Sequence, residues 1–84
     1  MRHAREDYQR IQDPAGLIPE NEPVFLFRAQ DKFTSTILTI YANLVEAASG
    51  DPELVTRVRN HVVLIDAWPK KKLPDLAEKG RDVT

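Results

Sequence analysis

The chain has 84 residues, which is enough for one small domain, and it contains no cysteine, so disulfide bonds and thiolate zinc sites are excluded. Apolar residues make up 42% of it, as in globular rather than disordered chains. The net charge of −1 argues against non-specific nucleic-acid binding and against a polybasic membrane anchor. The longest apolar runs, 24–27 and 62–65, are too short to cross a bilayer. Residues 1–7 lead into no apolar segment, so we expect no secretory signal and a cytoplasmic location.

The N-terminal third is predicted to lack long regular structure. Residues 1–13 predict a polar arm, in which the spacing of Tyr8 and Ile11 also allows a short helix. The sequence Asp-Pro-Ala-Gly at 13–16 is typical of a turn. Prolines at 14, 19 and 23 then favour an extended segment over 14–32.

The apolar run Val24–Phe27 has two interpretations. Its β-branched and aromatic residues favour a β-strand. The alternative is a short helix that continues through residues 28–30, because a run of four residues is too short for periodicity to decide. The sequence offers no convincing second strand, and a single strand leaves a backbone edge that must be covered.

A first helix is predicted over about 34–48, with Thr34 or Ser35 as its N-cap. At 100° per residue its main apolar face comprises Phe33, Ile37, Ile40, Tyr41, Leu44 and Ala48, and Leu38 and Val45 widen that face. Gly50 is predicted to end the helix with a positive φ.

A second helix is predicted over about 52–68, because Asp51 suits the N-cap and Pro52 the first helical position. Its main apolar face comprises Leu54, Val55, Val58, Val62, Ile65 and Trp68. Pro69 ends it, and residues 70–84 predict a charged, flexible tail.

The predicted fold is therefore mainly α: an antiparallel two-helix hairpin with the extended segment, in one interpretation a single β-strand, packed on it. One folded domain is expected at 14–69. A domain this short has little core, and Val63 and Leu64 lie off the main face of the second helix. We therefore expect a homo-oligomer, with a dimer favoured, that uses Val63 and Leu64 in its contact.

Catalysis finds little support in the sequence. His3 and His61 are far apart, and neither a glycine-rich phosphate loop nor a metal-ligand spacing is present. We expect no enzyme activity, no cofactor and no metal, and we interpret the chain as a module that binds an as yet unidentified protein. The candidate interaction residues are Arg28, Gln30, Asp31, Lys32, Val63, Leu64 and Trp68. The stretch 28–32 is either such a contact or a structural corner between the apolar run and the first helix.

The alternative function is a small helix-turn-helix-like DNA-binding regulator, because two helices joined by a short glycine-containing turn suit that motif. The first turn of the second helix, which would face the DNA, carries Asp51 and Glu53, and these carboxylates would repel phosphates.

Three stretches carry a resemblance: 11–16, 18–31 and 67–76, which read IQDPAG, IPENEPVFLFRAQD and AWPKKKLPDL. With them the chain resembles small uncharacterised proteins of tailed bacteriophages and prophages. The resemblance implies the cytoplasm of a bacterial host as the setting and, by analogy with short phage accessory proteins, a role in binding a host or phage protein.

Overall fold

The computed structural model describes residues 2–3 and 13–76. In chain order its elements are β1 (Arg2–His3), β2 (Pro23–Val24), α1 (Thr34–Ala47) and α2 (Pro52–Ala67). The two helices pack against each other, which confirms the prediction of a mainly α, two-helix hairpin. Both helices end one residue before the predicted position. Tyr8 and Ile11, and the tail beyond residue 76, lie outside the described residues.

The chain divides into two compact units: Met1–Leu26 with Asp75–Thr84, and Phe27–Pro74. In the first unit β1 and β2 form a parallel pair, with Arg2 opposite Pro23 and His3 opposite Val24. The strand predicted at 24–27 is therefore shorter than expected and has a partner that the sequence did not reveal. The helical alternative is wrong, since 25–28 adopt no regular structure and 29–30 form a turn. The domain bounds of 14–69 stay a prediction.

The predicted turn at 13–16 is confirmed. The Gly16 amide donates to the Asp13 carbonyl over 3.0 Å, and Gly16 has a φ of 64°, in the left-handed region that favours glycine. The Asp13 carboxylate accepts hydrogen bonds from the Leu17 and Ile18 amides over 3.2 and 2.9 Å. One aspartate thus holds both sides of the turn.

The start of α1 differs from the prediction, because neither Thr34 nor Ser35 caps it. Phe33 is the N-cap residue and no side chain accepts a capping bond there. Thr34 is fully buried, and its hydroxyl donates to the Arg28 carbonyl over 2.7 Å. The Asp31 carboxylate instead accepts from the Phe33 amide over 2.8 Å, just ahead of the helix. The Thr34 hydroxyl therefore links the segment ahead of α1 to the start of the helix.

The link between the helices also departs from the prediction, because Ser49 and not Gly50 has the positive φ, of 59°. The Ser49 amide donates to the Glu46 carbonyl and the Gly50 amide to the Val45 carbonyl, over 3.0 and 2.8 Å. This pair of bonds is the Schellman motif, in which the left-handed residue is the first one after the C-cap. Gly50 is required for a different reason: a Cβ there would lie 2.6 Å from Val45 Cγ1.

The start of α2 follows the prediction. The Asp51 carboxylate accepts a hydrogen bond from the Glu53 amide over 2.9 Å, and Pro52 occupies the first helical position. At the other end Trp68 has extended backbone angles, as expected for a residue before proline.

Four side chains form the buried core of the helical unit. Thr34 and Ala42 of α1 and Val55 and Ile65 of α2 are buried, while the other apolar residues of the described part are at least partly exposed. The buried side of α1, residues 34, 38, 42 and 45, repeats every three or four residues. The main apolar face predicted for α1 is thus not the face that packs on α2.

The predicted tail begins later than residue 70. The Lys72 amide donates to the Gln30 carbonyl over 2.7 Å, and the Lys32 amide donates to the Lys72 carbonyl over 3.0 Å. The Lys71 ammonium donates to the carbonyls of Ala29 and Ile65. These bonds fasten residues 71 and 72 to the segment ahead of α1 and to the last turn of α2.

Candidate interaction surface

A stripe of large apolar side chains runs along the exposed side of α1. Each is between two fifths and two thirds exposed. Four of them are spaced by four, three and four residues, the spacing that places side chains along one side of a helix. The stripe comprises Phe33, Ile37, Ile40, Tyr41 and Leu44.

A second stripe runs along α2 beside the residues that pack on α1. Its apolar members are Leu54, Leu64 and Trp68, all of them exposed. Arg57 and His61 share this side and complete a spacing of three, four, three and four residues. The Arg57 guanidinium is held by Glu53 one turn earlier, over 2.6 Å. The stripe is therefore apolar at its two ends and polar in its middle.

The two stripes lie on the same side of the hairpin. Ile37 and Glu46 are nine residues apart on α1, which is two and a half turns and thus opposite sides of that helix. Arg59 on α2 and Trp68, the C-cap residue that follows the helix, are also nine residues apart. The Glu46 carboxylate and the Arg59 guanidinium lie 2.9 Å apart, so these two sides meet. Each stripe is opposite that ion pair, and together the stripes form one surface, which we call the outer apolar face.

The candidate residues Val63, Leu64 and Trp68 lie on two different sides of the hairpin. Leu64 and Trp68 are one turn apart and belong to the outer apolar face. Val63 lies one turn from Arg59, on the side with the ion pair, although it is 66% exposed and Leu64 is 64% exposed. The structure therefore brings Leu64 and Trp68 together with the α1 stripe and places Val63 elsewhere.

The candidate stretch 28–32 forms the corner that leads into α1. The Asp31 amide donates to the Arg28 carbonyl over 3.1 Å, and the Thr34 amide donates to the Asp31 carbonyl over 3.1 Å. With the bonds from Gln30 and Lys32 to Lys72, these contacts support the structural interpretation of the stretch. A role for its side chains in binding stays a prediction.

The α1 stripe was missed as a candidate site, although every member of it was named as apolar from the sequence. The sequence signal that could have indicated it is the other side of α1, which carries Thr34 and Ala42, the two buried residues of the helix. A helix with one small-residue side and one large apolar side has two surfaces to cover, and a single partner helix covers only one of them.

The described residues contain no group of three or more His, Asp or Glu side chains arranged to hold a metal ion. His61 is exposed on α2. Neither α1 nor α2 is long and apolar enough to span a membrane. In comparisons with protein-family models, curated proteins and solved structures, nothing matches the chain.

Proposed function

We propose that the chain is a small, non-enzymatic protein-interaction module whose contact surface is the outer apolar face. The observation that supports this proposal is the contrast between the two sides of the hairpin. One side carries eight large apolar residues that are about half exposed on average. The other side carries the Glu46–Arg59 pair, with Asn43 as a further partner of Arg59 over 3.1 Å. Contiguous exposed apolar surface rimmed by polar residues is typical of protein contacts.

The setting that we propose is the cytoplasm of a bacterial cell. The resemblance to small phage proteins supports it, and the partner would then be a host or phage protein. A cytoplasmic module needs neither disulfide bonds nor a membrane anchor, and the absence of cysteine from the sequence is compatible with this.

The charged side chains of α2 do not support the DNA-binding alternative. Arg57 and Arg59, the two cations that would reach phosphates, are engaged by Glu53 and Glu46. Carboxylates beside these cations lower the positive potential that DNA binding needs.

Photo-crosslinking in bacterial cells tests the proposal. A benzoylphenylalanine in place of Trp68 exchanges one aromatic side chain for another on the outer apolar face. The same group in place of Val63 is the matched control, because that side chain is also more than half exposed but lies on the other side. We expect a discrete crosslinked product from position 68 and none from position 63. No product from position 68, or equal products from both, would contradict the proposal.

A further inference from the structure

We infer that the occupant of the outer apolar face is a second copy of this chain, seated face to face so that the four helices form a bundle. This inference rests on the proposed function and names its partner.

The area of the face matches what a stable dimer buries. A large apolar side chain exposes roughly 200 Å² when fully accessible. The eight apolar members are about half exposed on average, so each copy offers about 800 Å². An interface of standard size buries about 800 Å² on each partner.

The core is too small to make the hairpin independent of its partner. Among the described residues of the helical unit, only Ala42, Val55 and Ile65 are buried apolar side chains. Chains of this size without disulfide bonds or metals are commonly stabilised by oligomerisation. A hairpin whose outer apolar face must be covered as soon as it folds requires a partner that is always present. A second copy of the chain meets that requirement.

The spacing of both stripes suits helix-on-helix packing between copies. Steps of three and four residues are those by which helices interdigitate in bundles and coiled coils. Phe33, Ile37, Ile40 and Leu44 supply such steps on α1, and residues 54, 57, 61, 64 and 68 supply them on α2. Two copies facing each other would therefore extend a two-helix hairpin into a four-helix bundle.

Charge places no obstacle between two copies. The net charge of −1 per chain gives little mutual repulsion. Arg57 lies in the middle of the α2 stripe, and its pair with Glu53 carries no net charge. A polar position in a largely apolar seam, such as His61, fixes which register two helices adopt, at some cost in stability.

Two substitutions to glutamate, at positions of similar exposure, distinguish the outer apolar face from the side that carries the ion pair. Leu44 is 64% exposed and lies on the outer apolar face, whereas Val63 is 66% exposed and lies beside Arg59. Both are replaced by glutamate in the full chain, and self-association is measured by sedimentation. We expect Leu44→Glu to raise the dimer dissociation constant at least about 100-fold, because symmetry buries two unpaired carboxylates in the contact. Val63→Glu should change it less than about threefold, as expected for a surface position.

The result that overturns the inference is a wild-type chain that stays monomeric, or a dimer that Leu44→Glu leaves intact or that Val63→Glu weakens equally. If Leu44→Glu also unfolds the chain, the mass of the wild-type chain and the effect of Val63→Glu on association still test the inference. The crosslink at position 68 distinguishes a failure of the dimer inference from a failure of the proposed function. A discrete product with another protein, from a chain that is monomeric when purified, removes the second copy but keeps the interaction module.

Discussion

The Arg59 guanidinium donates a hydrogen bond to the Glu46 carboxylate over 2.9 Å and thereby joins α2 to α1 along one side of the hairpin. Both side chains are about half exposed or more, so the pair contributes little to stability, about 1 kcal/mol at most. The pair shows which side of each helix is polar. The large apolar side chains are exposed on the opposite side.

The interhelical turn gives the first prediction. Replacing Gly50 with alanine should lower the free energy of unfolding by about 1–3 kcal/mol, because the new Cβ meets Val45 Cγ1 at 2.6 Å, and a valine side chain in a helix has little rotamer freedom. The measurement is urea unfolding. In a Val45→Ala background the same substitution should cost less. Equal costs in the two backgrounds would mean that this contact is not the cause.

Ser49 gives a second prediction of opposite sign. Its φ of 59° disfavours any residue with a Cβ. Ser49→Gly should therefore raise the free energy of unfolding, by about 1 kcal/mol or less, since the flexibility of glycine in the unfolded chain offsets part of the gain. Urea unfolding under the same conditions checks this. A loss of stability on this substitution would contradict the left-handed conformation of Ser49.

The buried hydroxyl of Thr34 gives a third prediction. Thr34→Val keeps the shape of the side chain but removes the 2.7 Å bond to the Arg28 carbonyl. We expect a loss of about 1 kcal/mol, because the bond of the buried hydroxyl is removed while the Arg28 carbonyl keeps its bond from the Asp31 amide. Thermal unfolding measures it, and Thr34→Ser, which keeps the hydroxyl, is the control. A valine variant at least as stable as the serine variant would show that the bond does not matter.

Two truncations of the C-terminal segment give a fourth prediction. Removing 74–84 keeps Lys72 and its two backbone bonds, so helix content and the melting temperature should change little. Removing 70–84 also deletes those bonds and the contacts of Lys71. Even a combined contribution of about 1 kcal/mol from these bonds, at roughly 4–8 °C per kcal/mol, should make the longer truncation melt several degrees lower. Equal melting of both truncations would contradict the anchoring of residues 71 and 72.

Local chemistry explains why the helices could be predicted closely. Asp51 and Pro52 specify the start of α2 by themselves, and Pro69 specifies its end. The strand β1 could not be predicted, because two residues carry no periodicity. At Ser49 and Gly50 the residue types indicated a turn, but which of them has the positive φ depends on where the last helical hydrogen bond falls.

The surface was predicted only in part, for a physical reason. A hydrophobic pattern identifies apolar side chains but not which side of a helix meets its neighbour. Thr34 and Ala42 are the buried residues of α1, whereas the large side chains of its apolar stripe are exposed. Leu64 and Trp68 were identified from the sequence as candidate contacts and lie on the outer apolar face. Val63, placed with them from the sequence, lies beside Arg59 instead.

The mass of the wild-type chain in solution shows whether two copies associate. Sedimentation equilibrium over a range from low to high micromolar concentration measures it without any substitution. We expect a mass of twice 9.6 kDa at the upper end, with dissociation and loss of helix content together on dilution. A mass of 9.6 kDa with full helix content at every concentration would contradict it.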